Sequence, residues 1–106
     1  MFTRVVELKT QPGKGEQLSE TINDKVLAIL KKQRGFVDEM VFVSDKDNRV
    51  LGISFWETRE DAEQYHRSDY QKVHDLVQPI LEREPTIRTF EVDTSTTHKI
   101  TARRAA

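Results

Sequence analysis

Residues 36–44 read Phe36-Val37-Asp38-Glu39-Met40-Val41-Phe42-Val43-Ser44, and residues 49–57 read Arg49-Val50-Leu51-Gly52-Ile53-Ser54-Phe55-Trp56-Glu57. Between them stands the polar stretch Asp45-Lys46-Asp47-Asn48. Two runs rich in β-branched and aromatic residues, joined by a short polar turn, spell an antiparallel hairpin. Successive side chains of a strand point to opposite faces. In the first run Val37, Val41 and Val43 share one side, and Phe36, Met40 and Phe42 the other. In the second, Leu51, Ile53 and Phe55 oppose Val50 and Trp56. The hairpin is therefore apolar on both faces, whereas an antiparallel sheet with one wetted face alternates apolar with polar.

The flanking segments supply the rest of the layer and its cover. Residues 2–10 form a strand with Phe2, Val6 and Leu8 on one side, interrupted by Arg4. Over residues 14–34, Leu18, Ile22, Val26, Ile29 and Leu30 make the single stripe of an amphipathic helix. Its acids come early and its bases late, which suits the helix dipole, and Gly35 stands where a helix stops. Thr58 opens a second helix with Glu60 and Asp61 in its first turn. Ser68-Asp69-Tyr70-Gln71 has the spacing of a capping box and predicts a fresh start there. Val73, Leu76, Val77, Ile80 and Leu81 then form a strong stripe, and Pro79 inside it predicts a kink or restart. Pro85 closes the helical region, and residues 86–92 form a last strand. The order β-α-β-β-α-β predicts an α+β, ferredoxin-like fold with an antiparallel sheet over residues 1–93.

Helices of one such chain can cover only one face of its sheet. The other face would leave some six apolar side chains in water, each worth roughly 1.5–3 kcal/mol on full burial. Soluble monomers seldom carry so large a patch. The expectation is a homodimer packed sheet against sheet, a dimeric α/β barrel. The polar, basic tail, residues 94–106, suits either disorder or an arm laid on a partner.

A chain of 106 residues makes one domain. Hydrophobic residues are 36% of it, a thin core that a second subunit would help. Residues 1–93 hold 14 bases against 18 acids, and the tail holds three bases and no acid. Near-neutral overall charge argues against nucleic acid as the partner. No apolar run approaches a membrane span. Arg4 and Glu7 interrupt the amino end too early for a secretory signal, so the cytoplasm is the expected compartment. With no cysteine there is no disulfide framework, thiolate metal site or cysteine nucleophile.

The residues able to carry chemistry lie in the second helical region. His66 and His74 are eight residues apart, roughly 12 Å along a helix, too far to share a small metal ion. Glu63-x-x-His66 alone is only a fragment of a carboxylate-bridged site, and no metal is expected. His74 sits at the edge of the apolar stripe beside Tyr70 and Val77, where an imidazole can act as a general acid or base. Trp56 shares its side with Gly52 and Ser54. Two small residues beside a large ring leave room for a small ligand between sheet and helices, within reach of Tyr65. Plain core packing is the other reading of the same residues.

The run N-R-V-L-G-I-S-F-W-E-T-R-E-D-A-E-Q-Y-H-R-S-D, residues 48–69, within this element order, resembles the antibiotic biosynthesis monooxygenase family over residues 2–93. The resemblance implies dimeric α+β barrels with a pocket between sheet and helices. It implies oxygenation of a small activated aromatic or quinol-like substrate by O₂ without metal, flavin or other cofactor, the substrate's own carbanion or phenolate supplying the electrons. On this reading His74 serves proton transfer and Tyr65 hydrogen bonding, while Trp56, Phe42, His66 and Tyr70 bind substrate. A proton-transfer isomerase and a non-catalytic ligand-binding dimer are the alternatives on the same scaffold. A haem-degrading branch shares the W-E…S-D…H pattern, but here Val5 or Val6 replaces its Asn and Tyr65 its Trp. His74 is also out of register with its axial His, so haem degradation is not expected.

Overall fold

The computed structural model describes residues 1–44 and 46–102. Four strands form one antiparallel sheet: β1 (Phe2–Lys9), β2 (Phe36–Ser44), β3 (Arg49–Trp56) and β4 (Thr86–Glu91). Their order is β2-β3-β1-β4. The fold is α+β and ferredoxin-like, with the helices on one face.

The first helical region comes in three pieces. These are α1 (Gly15–Thr21), a π-helical turn (Ile22–Val26) and α2 (Leu27–Leu30). The apolar stripe survives the change of pitch: Leu18, Ile22, Val26 and Leu30 are all buried. Gly35 ends the segment with φ +78°, a conformation that strains any other residue. A Cβ there would also collide with the Asp61 side chain.

The second helical region is α3 (Arg59–Ser68), α4 (Tyr70–Val77) and a 3₁₀ turn at Gln78–Ile80 carrying Pro79 at its start. Thr58 caps α3, its hydroxyl accepting the Asp61 N–H at 3.1 Å. The capping box expected at Ser68 does not form. Ser68 is the last residue of α3, and the break falls at Asp69, which lacks a side-chain cap bond. The Asp69 carboxylate is held instead by Gln33 Nε2 at 2.8 Å and Lys72 Nζ at 3.2 Å.

A β-bulge between Phe36 and Asp38 corrects the alternation expected along β2. Phe36 pairs with Trp56 and lies on the helix-covered inner face, away from Met40 and Phe42. Cross-strand partners share a face, so the inner face carries Phe2, Arg4, Val6 and Leu8 of β1 opposite Trp56, Ser54, Gly52 and Val50 of β3. The outer face carries Leu51, Ile53 and Phe55, with Met40, Phe42 and Phe90 exposed. The described part of the tail turns back on itself through the Ser95–Ile100 bridge. His98 then lies 5.6 Å from the Phe55 ring and 3.8 Å from Asp38 Oδ2. Arg103 and Arg104 of the basic tail lie outside the described residues. Among the described residues no helix is long and apolar enough to cross a membrane.

Candidate functional site

Between the inner face and the helices lies a cavity of about 60 Å³. A water needs roughly 10–15 Å³ of such space, so the cavity takes a few waters or the edge of one aromatic ring. Its walls are largely apolar: Val6 and Leu8 of β1, Ile22, Val26 and Leu30 of the first helical region, Val73 and Val77 of α4, and Pro85. Gly52 and Ser54 line it as well, and a Cβ added to Gly52 would meet no atom within 4 Å. The space expected beside these two small residues is present.

The polar groups gather around Arg4, Glu39, Tyr65 and Tyr70. Arg4 is 4% exposed although it carries a charge. Its guanidinium lies 5.3 Å from the Tyr65 ring centre and 5.2 Å from that of Tyr70, a position that ring quadrupoles favour. Arg4 Nη1 donates to His66 Nδ1 at 3.1 Å. A guanidinium has no acceptor, so Nδ1 must present its lone pair and His66 is neutral in this contact. Burial, then the Arg4 charge, hold the His66 pKa below its ordinary value. The aromatic groups stack in sequence: Trp56 on Tyr65 at 5.1 Å, and His66 on Tyr70 at 5.0 Å. Burial raises the pKa of both tyrosines, Arg4 opposing it in part, so each hydroxyl keeps its proton and has it available to donate.

Two buried atoms of the cavity residues have no hydrogen-bond partner, Arg4 Nη2 and Glu39 Oε2. Glu39 has its pKa pushed up to about 7, first by burial and then by neighbouring Asp38.

The structure places the expected site residues unevenly. Tyr65 and Tyr70 line the cavity, and His66 stands behind Tyr70 as a partner of Arg4. Trp56 is fully buried behind Tyr65, its Nε1 donating to Ser54 Oγ at 2.9 Å, and its ring packs edge-on against Phe36. It supports the cavity wall without forming it. His74 is not among the lining residues. Its Nε2 lies 2.6 Å from Glu84 Oε2, and its ring is 6.2 Å from Tyr70. Phe42 pairs with Leu51 on the outer face, because the register of β2 turns it away from the helices. Sequence reasoning misses Arg4 and Glu39. The available signal was a charge at an inward register position: Arg4 interrupts the apolar side of β1, and Glu39 shares its side with Val41. Among the described residues no three His, Cys, Asp or Glu side chains are grouped to hold a metal ion.

Residues 1–75 match the family model for antibiotic biosynthesis monooxygenase. No curated protein matches the chain. Solved structures do. A monooxygenase from the gene ActVA-Orf6 of Streptomyces coelicolor, in complex with the ligand nanaomycin D, is 18% identical with a TM-score of 0.74, covering 89% of this chain and 88% of that one. SnoaB, a cofactor-independent oxygenase from Streptomyces nogalater, is 16% identical with a TM-score of 0.74, covering 90% and 95%. A conserved protein from Methanosarcina mazei Go1 is 20% identical with a TM-score of 0.68, covering 85% and 91%. At these identities the neighbours establish the fold, and the family model adds the lineage: the chain belongs to the antibiotic biosynthesis monooxygenase family.

Proposed function

We propose that the chain is a cofactor-independent monooxygenase acting on a small, activated aromatic or quinol-like substrate in the cavity between sheet and helices, and that it works as a homodimer. The observation that carries this reading is the cavity itself: apolar walls with a polar group at Arg4, Glu39, Tyr65 and Tyr70. An electron-rich phenolate or carbanion held in such a space is stripped of water and oriented toward O₂, which are the contributions a protein makes when the substrate supplies the electrons. The monooxygenase from Streptomyces coelicolor and the cofactor-independent oxygenase from Streptomyces nogalater share this fold. The small volume favours a single-ring substrate entering edge first.

In this reading Tyr65 donates a hydrogen bond to the substrate and Tyr70 lines its path. His74 retains a proton-transfer role through Tyr70, the lining residue whose ring it meets. The exposed Met40, Phe42 and Phe90 support the sheet-to-sheet dimer. Oxygen consumption with a panel of dihydroxy-aromatics tests the activity. Uptake by the native chain, at least tenfold reduced in Gly52→Val (which fills the cavity), is the expected result. Turnover of an enolisable substrate without oxygen uptake would assign the proton-transfer isomerase instead. Unchanged uptake in His74→Gln would remove that histidine from the mechanism.

A further inference from the structure

Arg4, Ser54 and Glu39 stand in one row across three neighbouring strands. Ser54 pairs with Arg4 of β1 on one side and with Glu39 of β2 on the other. Adjacent strands lie about 4.8 Å apart, so the two charged residues leave the sheet roughly 10 Å from each other with only a serine between them. That serine is already engaged, accepting from Trp56 Nε1. The row thus forms a slot with a cation on one wall and a carboxyl group on the other. Arg4 is fixed by His66 and by the rings of Tyr65 and Tyr70, which leaves Nη2 as its unpartnered donor. Glu39 Oε2 is an unpartnered acceptor on the same cavity. Buried polar atoms left unsatisfied are costly, and charged ones most of all.

We propose that the slot takes a ligand hydroxyl of phenol or enol acidity, which bridges the two orphan atoms and passes its proton to Glu39. The O–H bond breaks, the proton moves to Glu39 Oε2, and the electron pair stays on the ligand oxygen, which accepts from Arg4 Nη2. Nothing is oxidised in this step. It rests on the reading of the cavity as the substrate site and names the group that the substrate must present there. The other ionisable groups facing Glu39 are Asp38 on its own strand, Arg4 on β1, Tyr65 on α3 and Tyr70 on α4. Among them only a carboxyl group poised near neutrality can both take and return a proton at working pH.

The test uses 4-nitrophenol, whose ionised form is yellow and which needs no turnover to report. The native complex keeps one proton in the slot, so the bound phenol is expected to be yellow and its affinity to peak near neutrality, where Glu39 is partly ionised and the free phenol partly neutral. Glu39→Gln, equal in size but without the acceptor, must shed that proton to water, so its affinity is expected to climb with pH until the free phenol is fully ionised. Arg4→Lys keeps the charge but loses the planar fork, and is expected to bind about tenfold more weakly. Thermal melts of both variants verify that they are folded. A neutral bound phenol in the native chain, an unchanged pH profile of affinity in Glu39→Gln, native affinity in Arg4→Lys, or no binding at all would each overturn the proposal. Oxygen uptake is scored separately. Uptake together with a neutral bound nitrophenol leaves the oxygenase reading standing and removes the proton slot. An ionised bound nitrophenol without uptake from any dihydroxy-aromatic does the reverse.

Discussion

On the inner face of the sheet Phe2, Leu8, Val50 and Trp56 are at most 5% exposed, and the charged side chains of Arg4 and Glu39 stand on that same face. On the outer face Met40, Phe42 and Phe90 are 42, 48 and 49% exposed. The charged Glu7 and Arg49 pair with each other there at 2.7 Å in partial contact with solvent. Apolar content alone does not separate the two faces. What separates them is where charge has been made expensive. A sheet that only needed a core would put its charges outward, so the inward pair sets the inner face apart as the one the proposed chemistry would use, and the outer face as the one the proposed dimer would cover.

Substitutions can break that contrast. The largest effect is expected at Trp56→Ala, which empties the centre of the inner face and should cost about 3–5 kcal/mol in a denaturant titration. The matching change on the outer face, Phe90→Ala, should cost under about 0.5 kcal/mol in the separated chain. Equal costs would dissolve the distinction. Next comes Gly35→Ala. The positive φ and the collision with Asp61 disturb the seat of α3 over the inner face, for a loss of about 1–3 kcal/mol in the same titration.

Glu39 gives a subtler test, through pH. Its folded-state pKa of about 7 lies above the 4.5 of a free carboxyl group, so between those values the folded chain binds more protons than the unfolded one. Stability is then greatest below the window and declines as pH rises through it. Glu39→Gln should flatten that part of the stability profile in melts taken across pH, and an unaltered slope would show the carboxyl group to be water-accessible after all. The smallest effect on the unfolding of a single chain belongs to Met40→Glu with Phe42→Glu. Its signature is in mass: light scattering at micromolar concentration should read twice 12.4 kDa for the native protein and 12.4 kDa for the variant. A native reading of 12.4 kDa would leave the outer face without its proposed cover.

The sequence displayed the architecture because its signals are local and periodic. The stripe from Leu18 to Leu30, the glycine at 35, the cap at Thr58 and the two apolar hairpin strands each act within a few residues of themselves. The capping box at Ser68 does not form: Ser68 still belongs to α3, and Gln71, its would-be partner, donates forward to Asp75. Simple alternation puts Phe36 on the wrong side, because a bulge changes strand parity without any glycine or proline to announce it. The candidate site was half legible. Tyr65 lies within reach of the space beside Trp56, Tyr70 comes with the family resemblance, and the space itself follows from Gly52 and Ser54. The Arg4–Ser54–Glu39 row depends on the register of three strands, and no pattern within one strand contains it. Residue type points Trp56 and His74 toward the cavity, whereas packing puts one behind Tyr65 and the other beside Glu84.

The bulge at the start of β2 has a second effect. β2 is a rim of the sheet, and a rim with free amide and carbonyl groups invites another chain to zip on beside it. A kinked, over-twisted rim makes a poor template for such side-by-side growth. The same extra residue that carries Phe36 under the helices therefore discourages filament-like extension at that border and leaves stacking as the safer route to association.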